Sequence, residues 1–324
     1  MTRLKLIIKI VISLGLLIYL VKLANPAEIV KILITVIESG GIFYLIGAII
    51  LYIAAMFVYT IRWQVLVKGY QLNMTVSRLF KYYLMGLFFN NFLPTSIGGD
   101  IIRIHKLIQH SGKRTVGFAS VLTERLMGLM SSLMIALISI VIMYNEFESL
   151  NLLYIDLVLL FLLAAFFTFI FLDRFFNSLQ QLLLRITCFR FGERMMKFFE
   201  ALRLYRNNKL IFFRVFLISL IGQSMVICMT YLISMALKLD VSLGYFFLFI
   251  PVTFLLTMLP SINGLGIRDG GFVFFLGKIG ISSAASLSLS FISIIIPMMV
   301  SILGGIFFII SKEKVKIKEM GFVQ

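Results

Sequence analysis

Apolar runs alternate with short, mostly basic interruptions along nearly the whole chain. A membrane-crossing helix needs about 20 apolar residues. Runs of that order fall at 4–24, 41–61, 116–143, 152–172, 210–237 and 285–311. Two further apolar stretches are short and broken. Residues 82–93 (YYLMGLFFNNFL) would extend only about 18 Å as a helix and stop at Pro94, after which 100–110 (DIIRIHKLIQH) resume as a polar-faced helix. Residues 244–259 break at Pro260, and 267–281 come back. The pattern predicts an all-α polytopic membrane protein in one domain, residues 1–324. It has about six full transmembrane helices plus two opposed re-entrant hairpins, 82–110 and 244–281, of inverted-repeat character. A full crossing by the arms of both breaks also fits the distribution of charge.

The interruptions set the orientation. Arg3, Lys5 and Lys9 place the N-terminus in the cytoplasm, and Lys68, Arg78 and Lys81 place the third interruption there. Arg62-Trp63, at the end of the second run, reads as an interfacial anchor. The loop from Asn25 to Gly40 falls outside and contains a short apolar segment suited to the interface. The acidic YNEFESLN (144–151) is also external. The first run is longer than a signal-peptide core and lacks a good cleavage context, so it reads as a retained span. Residues 173–209 carry eight Lys/Arg against three Asp/Glu, with apolar residues at helical spacing. Amphipathic helices on the inner leaflet are expected there, with a solvated connector as the alternative.

Composition sharpens this picture. The chain is 61% hydrophobic with a mean hydropathy of +1.06, and only 14% of it is charged, against about 25% in soluble domains. The net charge of +16 sits between the apolar runs, so anionic lipid head groups are the expected partners rather than nucleic acid. Cys188, Cys228, His105 and His110 form no disulfide framework and no ligand motif, so neither metal nor cofactor is expected.

Chemistry concentrates in the two breaks. With one gap, NNFLPTSIGGDIIRIHK (90–106) aligns with TMLPSINGLGIRDGGF (257–272): Leu93-Pro94 with Leu259-Pro260, Gly98 with Gly264, Ile102-Arg103 with Ile267-Arg268. Helix-breaking residues and charges are costly in hydrocarbon, so both loops are expected to face protein or a water-filled cavity. Ser96, Gly98, Gly99, Asn263 and Gly264 would leave backbone amides free beside helix starts, Asp100 would cap the first, and Arg103 and Arg268 suit phosphate oxygens. Asp100, Glu124 and Asp269 balance Arg103, Arg125 and Arg268 in number. An ion-pair network is expected, with Glu124 or Asp100 beside Arg103, and Arg125 or Asp269 beside Arg268. Either carboxylate of the first half, Glu124 or Asp100, is a candidate proton carrier. Asn90 and Asn91 would line a cavity or bond the broken backbone.

FLPTSIGGDIIR, SVLTERLMGL and LPSINGLGIRDGGF resemble, in order, the signature blocks of the lysylphosphatidylglycerol synthase transmembrane-region family, flippase-like proteins. The resemblance covers essentially the whole chain. It implies movement of an anionic phospholipid, aminoacyl-phospholipid or lipid-linked sugar between leaflets of the plasma membrane. Some relatives carry a soluble aminoacyl-transferase domain. None is found in this sequence, so lysyl transfer is not expected. The rival expectations are a membrane-embedded lipid-modifying transferase, or a partner subunit of one. A homo-oligomer is also compatible.

Overall fold

The computed structural model describes residues 26–38, 40–92, 98–143, 208–257 and 265–311, with isolated positions between 18 and 22 and between 157 and 165. The described residues form helices and no strand: α1 (Pro26–Glu38), α2 (Ile42–Lys68), α3 (Val76–Phe92), α4 (Gly98–Ser111), α5 (Arg114–Ile142), α6 (Lys209–Ala236), α7 (Leu243–Leu256), α8 (Ile267–Lys278) and α9 (Ser283–Ile310). The protein is an all-α polytopic membrane protein. Four helices are long and apolar enough to cross: Ile42–Lys68, Arg114–Ile142, Leu210–Ala236 and Ser283–Ile310. Their outward faces carry side chains such as Phe43, Ile142 and Ile309, each more than three-quarters exposed. So much apolar surface is tolerated because lipid, not water, covers it. Of the expected spans 4–24 and 152–172 only isolated positions are described, and the basic segment up to residue 207 and the acidic loop lie outside the described residues.

Boundaries shift where helix continues past a charge. The second run, expected at 41–61, continues to Lys68 because Gln64-Val65-Leu66-Val67 extends its apolar character. Arg62 and Trp63 are therefore buried, not interfacial. The arm expected to begin at 82 begins at Val76 and has 17 residues, about 26 Å. Gly98 and Gly99, expected in the first break, form the opening turn of α4. The short segment expected near the interface is α1, which packs on α9 with Ile29 against Ala284 and Leu287.

The helices share two ends. At one, α2 hands over to α3 and α4 to α5, and Arg78 near the start of α3 donates to Nε2 of His110 near the end of α4 at 2.7 Å. At the other, the end of α5 meets the start of α7, with Met143 against Gly244. Tyr245 near the start of α7 donates to the Phe275 carbonyl near the end of α8 at 2.5 Å. So α3 and α4 fold back to one end, and α7 and α8 to the other. With 14 and 12 residues, α7 and α8 reach about 21 and 18 Å, short of a hydrocarbon core of about 30 Å.

Close backbone approach fixes the first pair. A Cβ at Gly99 would lie 1.9 Å from the Gly86 carbonyl oxygen of α3. On the other side of α3, a Cβ at Gly304 of α9 would lie 1.9 Å from the Leu84 carbonyl oxygen. Without side chains at these positions the helices pack almost backbone to backbone. The largest buried apolar cluster takes most of its residues from α2, α6, α7, α8 and α9, with Val36 of α1, Leu84 of α3 and Ile135 and Ile140 of α5. Within it, Phe249 packs edge-on to Phe272 at 5.4 Å between ring centroids.

Candidate functional site: two clusters of buried charge

The first cluster gathers side chains from five helices. Glu124 of α5 lies at its centre. Its Oε1 accepts from Arg62 Nη2 of α2 at 2.6 Å, and its Oε2 accepts from Arg103 Nη2 of α4. Arg62 also donates to Ser219 Oγ of α6 at 3.0 Å. Arg103 Nη1 lies 3.5 Å from Asp100 Oδ1, and the other Asp100 oxygen accepts from Arg125 Nε. The Arg103 guanidinium is sandwiched between aromatic faces, 4.3 Å from the Trp63 ring centroid and 4.1 Å from that of Tyr83 on α3. Trp63 is held in turn by donating Nε1–H to Ser120 Oγ at 3.1 Å. Arg62, Asp100, Arg103 and Glu124 are each no more than 6% exposed, whereas the Arg125 side chain is 45% exposed.

Among the described residues the charge does not balance: Arg62, Arg103 and Arg125 face Asp100 and Glu124, three bases against two acids. A lone charge in hydrocarbon costs roughly 2.5–3.5 kcal/mol on insertion scales. Here stacking on Trp63 and Tyr83 offsets part of that cost, since desolvated cation–π contacts contribute about 2 kcal/mol. The Nε atoms of Arg62 and Arg103 are buried and make no hydrogen bond, so each guanidinium retains donor capacity.

The second cluster is smaller and neutral. Asp269 in the first turn of α8 is fully buried. Its Oδ2 accepts the Gly266 N–H at 2.8 Å, capping the helix, and its Oδ1 accepts from Ser290 Oγ of α9 at 2.5 Å. Arg268 Nη2 lies 3.3 Å from Asp269 Oδ1 and donates to the Ser290 carbonyl and Oγ, each at 3.0 Å. Its side chain is 19% exposed, and its buried Nε makes no hydrogen bond.

The clusters share no residue. Arg103 stands eight residues before the end of α4, about 12 Å along the helix from one end of the bundle. Arg268 stands ten residues before the end of α8, about 15 Å from the opposite end.

A family model described as the lysylphosphatidylglycerol synthase TM region matches residues 6–305. The chain belongs to that family. No curated protein and no solved structure matches it. Both clusters fall within the matched residues, so both are part of the lysylphosphatidylglycerol synthase TM region itself.

Within this TM region, several sequence expectations change. The Asp100 carboxylate pairs with Arg103 and Arg125. The Gly99 amide is not free, because Asn90 Oδ1 accepts it at 2.7 Å. That settles Asn90 as a partner of the broken backbone, while Asn91 donates to Ser301 Oγ at 2.6 Å. Arg125 joins Asp100, not Arg268, and Asp269 lies beside Arg268. Gly98 is buried in the first turn of α4. Pro94, Ser96, Pro260, Asn263 and Gly264 lie outside the described residues. Sequence reasoning missed Arg62, Trp63, Tyr83 and Ser290. For Ser290 a signal existed: Ser286, Ser290 and Ser293 recur at helical spacing in an otherwise apolar run.

Proposed function

We propose that this protein moves an anionic lipid between leaflets, as a flippase or scramblase rather than as an enzyme. The lipid is a phospholipid, aminoacyl-phospholipid or lipid-linked sugar. The observation that carries the reading is the positive excess of the first cluster. A desolvated guanidinium held between two rings, with an unused donor, is suited to a phosphate oxygen. In this reading α3–α4 and α7–α8 are re-entrant hairpins entering from opposite faces. The head group passes between a station at Arg103 and a station at Arg268 while the tails stay in the bilayer. Glu124 and Asp100 act as resident counter-charges that a lipid phosphate displaces. The same pairing leaves neither carboxylate placed as an acid or base toward a substrate, which favours transport over lipid modification. The distribution of basic residues supports a plasma-membrane location with both termini in the cytoplasm.

The test is head-group movement of a fluorescent anionic phospholipid in proteoliposomes. Arg103→Gln and Arg268→Gln are each expected to slow it about tenfold, the equivalent of about 1.4 kcal/mol at the barrier. Movement unaffected by both changes would end the arginine mechanism. Chemical conversion of the lipid without movement would favour a lipid-modifying enzyme.

A further inference from the structure

Where α3 begins and α9 stops, the two helices leave a groove of about 390 Å³. Its lining is part polar and part apolar: Ser77, Arg78 and Lys81 of α3 and Ser311 at the end of α9, with Met85, Phe307 and Ile310. This lining follows from antiparallel packing: the first turn of α3 lies level with the last turn of α9, and Leu84 lies level with Gly304. Among the described residues, no carboxylate lines the groove. The Nζ of Lys81 lies 5.8 Å from the Phe307 ring centroid. Arg78 is fixed by one Nη1 bond to His110, which leaves the rest of its donor fork available. Ile310 is 69% exposed.

We propose that this groove binds one anionic phospholipid, with its phosphate on Arg78, Lys81 and the hydroxyls and one acyl chain leaving over Phe307 and Ile310. Two cations, with no acid beside them among the described lining residues, set the sign of the ligand, and the apolar side chains next to them select an amphiphile over a free anion. The chain after Ser311 does not suit the site, because KEKVKIKEM is itself cationic. The groove shares no residue with the Arg103 or Arg268 clusters. It therefore constitutes a separate lipid site at the α3–α9 end, independent of whether lipid is translocated.

The experiment uses the full chain in nanodiscs with a phosphatidylglycerol bearing a photoreactive group high on one acyl chain. Cross-linked peptides are mapped by mass spectrometry. Labelling is expected on the peptide containing Phe307 and Ile310. Excess unlabelled phosphatidylglycerol should compete, but phosphatidylcholine should not. The Arg78→Gln/Lys81→Gln double variant, checked for an unchanged melting temperature, is expected to lose at least fivefold of that labelling, and Arg78→Lys/Lys81→Arg to restore it. Labelling that survives the double Gln variant, or that phosphatidylcholine competes equally, would overturn the proposal. Displacement by inorganic phosphate alone would also overturn it, in favour of a small-anion site. Because the readout is binding at one mapped peptide, a failure here is distinct from a failure of translocation.

Discussion

The two charge clusters are built from the same kinds of residue to different ends. Around Arg103, three arginines meet two acids among the described residues, the side chains come from five helices, and the Arg103 guanidinium is stacked on aromatic rings. Around Arg268, one arginine meets one acid, adjacent in sequence, and a single serine on the next helix completes both. The difference teaches that a buried charge near a helix break does not define a role by itself. The local count of charge, and what disperses the remainder, decides how strongly a cluster discriminates in favour of an anion.

The largest expected effect tests the charge count. Glu124→Ala leaves Arg62 and Arg103 buried without their shared partner and should cost about 3–5 kcal/mol. Asp269→Ala leaves a partly exposed arginine still bonded to Ser290 and should cost less. Unfolding free energies measured in bicelles would compare them, and equal losses would break the contrast. Next, Ser290→Ala removes a hydroxyl bonded to both charges of the second cluster, with an expected loss of about 1.5–3 kcal/mol. Because the charge there stays neutral, lipid selectivity should not change. The smallest effect concerns packing. Gly99→Ala pushes a methyl into the Gly86 carbonyl, an overpacking of about 1–3 kcal/mol. Gly271→Ala meets only the Thr253 methyl at 2.9 Å and the Leu256 side chain at 3.0 Å, groups that can shift. A smaller fall in melting temperature for Gly271→Ala would confirm that the α3–α4 pair is the more tightly keyed.

Much of this architecture was readable before any coordinates. Long apolar runs and flanking basic residues fix the class of protein, and the paired Pro–Gly–Arg breaks locate both clusters to within a few residues. What the pattern concealed were features set by tertiary neighbours. Arg62 lies six residues before Lys68 and resembles the end of a span. Only the approach of Glu124 from α5 makes it a buried partner. The stacking of Arg103 depends on Trp63 and Tyr83, which are 40 and 20 residues away in the chain. Asp100 carries the residue type of a helix cap, and only the approach of Arg125 from α5 makes it a partner of two arginines. The Gly99 amide is taken by Asn90 on the preceding helix.

The central claim concerns one unit of charge, and selectivity measures it most directly. Arg103→Gln leaves Arg62 and Arg125 against Asp100 and Glu124, which gives the first cluster the neutrality of the second. In proteoliposomes, the ratio of anionic to zwitterionic head-group movement should exceed about tenfold for the wild type, or about 1.4 kcal/mol at the barrier. It should fall to near unity in Arg103→Gln and persist, at a lower absolute rate, in Arg268→Gln. A ratio in Arg103→Gln equal to that of the wild type would contradict the account.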